Sequence, residues 1–273
     1  MLLAAPVRSG HEFAVAESPD GRVRVLSRRT FASPTSPPVL HLLETRRTAN
    51  GAWSVPVPVP FSGGVWRDID PIWSPDGTRL LFNSTRPAPG RASDATDFDV
   101  WVVFFRDGEW GEPMRLPAPL NTIASETYAS MTREGTIYMT QSSGAPRGSR
   151  IVRSRPLAGG AWSGPETLSV VNATGDASNP FIVDDESLLL FVDRRPGGEG
   201  DSDLYVSERR GDSWTEPRAL PVNTARAEFA PVLSADRARL LFGRLRRGGA
   251  GEPPVAEEDV YVVSGAWALG RRR

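Results

Sequence analysis

At 273 residues without a cysteine, the chain can bury a large apolar core with no disulfides, and it has no thiolate metal site and no thiol nucleophile. All 32 basic residues are arginine; against 33 acids they leave a formal net charge of -1, which gives no electrostatic basis for binding nucleic acid or an anionic membrane. No apolar run approaches the roughly 18 residues that span a bilayer, and the apolar start Met1 to Val7 lacks the basic flank and cleavage site of a secretion leader.

Taken in chain order, short β-branched and aromatic runs alternate with turn signals, and 25 prolines and 26 glycines punctuate them. This pattern is all-β. The first turn signal is Ser18-Pro19-Asp20-Gly21. The second is Asp70-Pro71-Ile72-Trp73-Ser74-Pro75-Asp76-Gly77, followed by Arg79-Leu80-Leu81-Phe82. A degenerate third runs from Tyr128 to Gly135, followed by Ile137-Tyr138-Met139. The fourth, Asn179 to Asp185, precedes Leu188-Leu189-Leu190-Phe191, and the fifth, Ala230 to Asp236, precedes Arg239-Leu240-Leu241-Phe242. Aligning Ser18, Ser74, Thr132, Val183 and Ser234 gives steps of 56, 58, 51 and 51 residues, so the count is five.

Each unit continues with a third strand, as in Asp99-Val100-Trp101-Val102, Asp203-Leu204-Tyr205-Val206 and Asp259-Val260-Tyr261-Val262. A fourth opens on a tryptophan: Trp53, Trp110, Trp162, Trp214 and Trp267. Four antiparallel strands make a propeller blade, and blades bury their flanks only by stacking around an axis. The expected fold is a single five-bladed β-propeller domain over 1–273, with repeats near 10–60, 66–120, 124–171, 175–222 and 226–270. Residues 1–8 are expected to complete the last blade and clasp the ring, because Leu2 to Pro6 resembles Leu116 to Leu120, the end of a fourth strand.

Ser-Pro-Asp-Gly followed by Leu-Leu-Phe resembles the TolB-type, WD-like propeller repeat of bacterial proteins. So do the stretches Val222-Asn223-Thr224 through Pro231 and Asp193-Arg194-Arg195-Pro196 through Ser207. The resemblance covers nearly the whole chain. It implies a binding or scaffolding module of the cell envelope, periplasmic or extracellular.

The hairpin acids Asp20, Asp76, Asp185 and Asp236 read as turn-capping residues. Six residues before the serine frame stand Glu12, Asp68, Glu126 and Glu228, with Asp176 beside Ala177 in the fourth repeat. The start of each innermost strand borders one mouth of the channel, so these acids, with Asp70, form a candidate ligand-binding ring. Charges about 10 Å apart repel by roughly 1.5 kcal/mol at an effective dielectric near 20, so such a ring wants arginine, a cation or a basic ligand. The other reading is that each acid bonds backbone where blades meet. Arg28, Arg86, Arg194 and Arg244 recur at the ends of the second strands. Either they lock blades by pairing with the acids, or they form a mixed surface for a carboxylate, sugar or peptide.

Variable loops 86–98, 142–149, 194–202 and 244–258 lie on that face. Their acidic stretches do not fit a twelve-residue calcium loop. His11 and His41 are the only histidines, HExxH and GxSxG are missing, and Gly197 to Gly200 reads as a turn, not a phosphate loop. No cofactor is implied. The leading expectation is a monomeric, non-catalytic module holding a protein, peptide or glycan around the channel mouth. The alternative is a glycosidase-like enzyme using Glu126 and Glu228, or Asp68 and Asp70, as acid and base about 5–9.5 Å apart.

Overall fold

In a computed structural model, described for residues 11–31, 33, 36–87, 97–142, 148–246 and 257–265, the chain is a five-bladed β-propeller. Blade one comprises His11–Glu17, Val23–Thr30, Val39–Arg46 and Val57–Pro58. Blade two comprises Asp68–Trp73, Arg79–Ser84 and Asp99–Arg106, with an outer strand in two pieces, Glu109–Trp110 and Met114–Arg115. Blade three comprises Glu126–Met131, Ile137–Ser142, Ser149–Ser154 and Glu166–Thr167. Blade four comprises Ser178–Ile182, Leu188–Asp193 and Asp203–Arg210, with the outer pieces Ser213–Trp214 and Arg218–Ala219. The described strands of blade five are Glu228–Leu233, Arg239–Arg246 and Glu257–Ser264. The named strands pair antiparallel within each blade and follow chain order outward from the axis. The proposed clasp of residues 1–8 and the Trp267 strand lie outside the described residues.

The recurring hairpin forms for a local reason. Ser18, Ser74 and Ser234 each donate to the aspartate two residues on, at 2.6, 2.5 and 2.5 Å, and that aspartate accepts the N–H of Arg22, Thr78 and Ala238 respectively. Gly21 and Gly77 then take φ of 70° and 69°, the left-handed conformation that closes the turn. Glu186 and Arg237 adopt it without glycine, at 59° and 56°.

The core is a set of inter-blade layers. Ala16, Val25 and Leu42 of blade one pack against Trp73, Phe82 and Trp101 of blade two. Leu81 and Val100 meet Met131 and Met139, Tyr138 and Ile151 meet Ile182 and Phe191, and Leu190 and Leu204 meet Leu233 and Phe242. Val15 and Leu26 meet Leu241 and Val260, which joins the last blade to the first. The tryptophans fill this wedge unevenly: Trp214 is buried edge-on to Tyr138, Trp110 packs with Phe61, Trp73 and Phe105, and Trp53 lies beneath Arg24 and Arg47.

Candidate functional site

Every first strand carries a register shift just after its acidic position, between Glu12 and Ala14, Ile69 and Ile72, Thr127 and Ser130, Ser178 and Phe181, and Phe229 and Val232. A bulge of this kind re-aims the chain. It sets Asp70, Tyr128, Asn179 and Ala230 at φ of 56°, 52°, 52° and 48°. The N–H of each is taken up by a neighbouring side chain. Asp70 donates to Ser27 at 2.8 Å, Tyr128 to Asn83 at 3.1 Å, Asn179 to Thr140 at 2.9 Å and Ala230 to Asn179 at 3.0 Å. In three of the four, a polar residue in the second strand of one blade pins the bulge of the next. In blade four that position is Val192, and the amide of Asn179 takes over.

The acids two residues earlier are answered by side chains of their own blade or of the segment leading into it. Asp68, Glu126 and Glu228 are 1%, 0% and 0% exposed. Glu12 is ion-paired to Arg28. Asp68 accepts from Ser84 at 2.6 Å and Arg86 at 2.9 Å, and burial raises its pKa against the pull of Arg86. Glu126 has Thr122 at 2.6 Å and Gln141 at 3.1 Å. Glu228 has Thr224 and Arg244, each at 2.6 Å, and burial still raises its pKa. In blade four the charge has changed strands. Ala177 occupies the acidic position, and the fully buried Asp193 on the second strand takes Thr174 at 2.6 Å and lies 2.9 Å from Arg195. Asp176 is paired instead to the half-exposed Arg194 at 2.7 Å.

The register refines one equivalence. Arg28 and Arg244 stand directly opposite Glu12 and Glu228, but Ser84, Gln141 and Asp193 hold the corresponding places in the other blades. Arg86 reaches Asp68 from two residues further along.

Beyond the bulges the first strands converge on the axis. Asp70, Tyr128 and Asn179 border an axial cavity of about 10 Å³ with Ala14, Pro71, Pro180 and Pro231. Toward the hairpins the axis widens into a funnel of about 110 Å³ to which all five blades contribute. Its wall is mainly apolar, with Ile72, Trp73, Met131, Phe181, Ile182 and Leu233. The funnel's charged lining residues are engaged: Glu17 holds Arg24 at 2.8 Å and Arg239 at 2.5 Å, and Asp184 holds Arg237 at 2.8 Å as well as Arg133. Sequence reasoning missed the funnel, because Ile72, Met131, Ile182 and Val232 look like ordinary core positions. Of the ten candidate site residues, Asp70 alone borders either cavity. Among the described residues no cluster of three or more His, Cys, Asp or Glu is arranged to hold a metal.

No protein-family model matches the chain, and no curated protein matches it. Among solved structures the fold is similar to TolB from Acinetobacter baumannii, with a TM-score of 0.53 and 13% identity, covering 93% of this chain and 51% of that one. The chain thus spans about half the length of that TolB. It is also similar to a GH43 endo-arabinanase from Bacillus licheniformis, with a TM-score of 0.55 and 10% identity over 92% and 93% of the two chains. A protein of unknown function from Dyadobacter fermentans gives 0.51 and 14% over 96% and 97%. At these identities the likeness is one of fold.

Proposed function

We propose that this propeller is a non-catalytic binding module that receives the apolar tip of a protein or peptide ligand in the funnel at its hairpin face. One observation carries the reading: the funnel is apolar, open, built by all five blades, and its lining acids are tied to arginines. A ligand's apolar side chain gains from leaving water there. Asp184, Arg237 and Arg133 at the rim offer polar contacts around it.

The same geometry weighs against hydrolysis by the acids considered from sequence. A general acid and base must reach substrate. Glu126, Glu228 and Asp68 are buried, and each accepts two or more hydrogen bonds from the protein. The resemblance of fold to both TolB and glycoside hydrolases is compatible with either activity.

Ala235 lines the funnel and is exposed, so Ala235→Trp fills the space without entering the core. Partners captured from a lysate of the source cells by the wild type, and identified by mass spectrometry, should be lost from this variant, with affinity falling at least about tenfold. Equal capture by both proteins, or release of reducing sugar from a glycan by the wild type, would overturn the reading.

A further inference from the structure

The funnel is apolar in its side chains but not in its main chain. In each blade the first strand is the inner edge of the sheet, so it has a strand to pair with on its outer side only. In an antiparallel pair, residues alternate between those that bond the neighbouring strand and those whose N–H and C=O point away from it. The hairpin fixes the phase of this alternation. Ser18, Ser74, Thr132, Val183 and Ser234 each donate their N–H outward, to the carbonyls of Val23, Arg79, Thr136, Leu188 and Arg239 at 2.7–3.1 Å. The residues just before them, Glu17, Trp73, Met131, Ile182 and Leu233, therefore turn N–H and C=O toward the axis, and all five line the funnel.

One of the five N–H groups is already taken: Ile182 donates to Oγ of Ser130 in blade three at 3.1 Å. A second bond across that junction, from the Arg133 N–H to the Asp184 carbonyl at 2.8 Å, stitches blades three and four together. The N–H groups of Glu17, Trp73, Met131 and Leu233 have no partner among the described residues, and neither have the carbonyls of the five. The narrower level beneath is built differently. Pro71, Pro180 and Pro231 border the axial cavity of about 10 Å³ and bring no N–H to it. Donors are thus withheld where only a water-sized group fits and kept where a ligand can enter. The funnel calls for no ionic group, because Glu17 and Asp184 are each held by two arginines.

We propose that the funnel recognises the main chain of its ligand: an extended, uncharged, apolar peptide segment adds to the inner edge of a first strand. This deepens the binding reading above and rests on it. A ligand residue set antiparallel to such an edge exchanges an N–H and a C=O with a single residue of the propeller. Leu233, Glu17 and Trp73 of blades five, one and two offer that pair along one continuous arc, away from the stitched junction. The ligand's side chains meet the apolar wall of Ile72, Trp73 and Leu233. Recognition through the main chain leaves the ligand's side chains free to vary, provided that they are apolar.

The test is NMR titration of the ¹⁵N-labelled full chain with acetyl-Ser-Leu-Ser-methylamide. A second titration uses the analogue in which ester oxygens replace the N–H of the leucine and of the second serine, and a third uses cellobiose. Saturable shifts of the Glu17, Trp73 and Leu233 amide signals are expected with the peptide, with binding at least about threefold weaker for the ester. The shifts should be lost in Ala235→Trp, and cellobiose should leave the three signals in place. Equal affinity for peptide and ester, no shift with the peptide, or shifts that persist in Ala235→Trp would overturn the proposal. Cellobiose moving the same signals at a lower concentration than the peptide would also overturn it, in favour of a glycan. Equal affinity or no shift leaves the funnel standing as a binding site, since that is decided by partner capture with Ala235→Trp.

Discussion

At the scale of single residues, burial decides what each charge is worth. Glu228 is fully buried and holds Arg244 and Thr224, whereas Asp176 pairs with Arg194 at the rim. Removing one partner of a buried pair strands the other without water and costs about 3–5 kcal/mol, while an exposed pair contributes about 0–1. Glu228→Ala should therefore destabilise by about 3 kcal/mol or more and Asp176→Ala by less than 1, read from urea midpoints. Asp70 gives the complementary pH signature. Its folded pKa, about 7, lies above its unfolded value near 3.8, so the folded state holds a proton that the unfolded chain releases. Stability from this group is full in acid and falls as pH rises through about 4 to 7. The loss is on the order of a few kcal/mol. Asp70→Asn should flatten this limb when denaturation midpoints are measured from pH ~5 to ~8. A wild-type midpoint that climbs with pH over that interval would show the carboxyl to be stabilised in its ionised form.

At the scale of elements, legibility tracked how local the cause is. The Ser-Pro-Asp-Gly hairpin was readable because serine, aspartate and glycine close it within five residues of one another. The pairing of acids with arginines was half readable. Recurrence at the repeat period marked both sets, but which residue stands opposite which depends on a bulge that shifts the register between strands. Arg86 and Arg194 were thus aligned with Arg28 although Ser84 and Asp193 hold its place. The staple between second strand and bulge went unread, yet it had a signal: Ser27, Asn83 and Thr140 are each the first polar residue after an apolar run, at the same place in three repeats. Ser27→Ala should leave the buried N–H of Asp70 without a partner and cost about 1–3 kcal/mol. Val192→Thr makes the informative contrast. Blade four already supplies Asn179 in that role, so the added hydroxyl should gain nothing measurable in the same denaturation assay.

At the scale of the molecule, a propeller is as strong as the contact that turns its stack into a ring. Four interfaces between successive blades carry broad apolar layers; between blades five and one the described layer consists of Val15, Leu26, Leu241 and Val260 with Val262 beside them, and nearer the axis Phe13, Ala14 and Leu40 pack with Ala230 and Phe229. Polar contacts reinforce that junction. Glu17, 4% exposed at its side chain, is shared by Arg24 of its own blade and Arg239 of blade five, and Arg29 reaches Glu258. Gly243 lets the blades close: a Cβ there would stand 2.2 Å from the Phe229 ring and 2.4 Å from the Phe13 carbonyl oxygen. Glu17→Gln removes the charge that both arginines share, so it should destabilise by about 3–5 kcal/mol. Its effect should also be directional. Opening at one junction exposes blades one and five before the blades between them, because each interior blade keeps two neighbours. Native-state hydrogen exchange should rise first in 11–17 and 239–246 and last in 137–142. Because Glu17 and Arg237 also line the funnel, the same variant should weaken ligand capture at temperatures well below its Tm. Exchange that rises equally in blade three would mean that the ring has no preferred seam, and that binding and closure are independent.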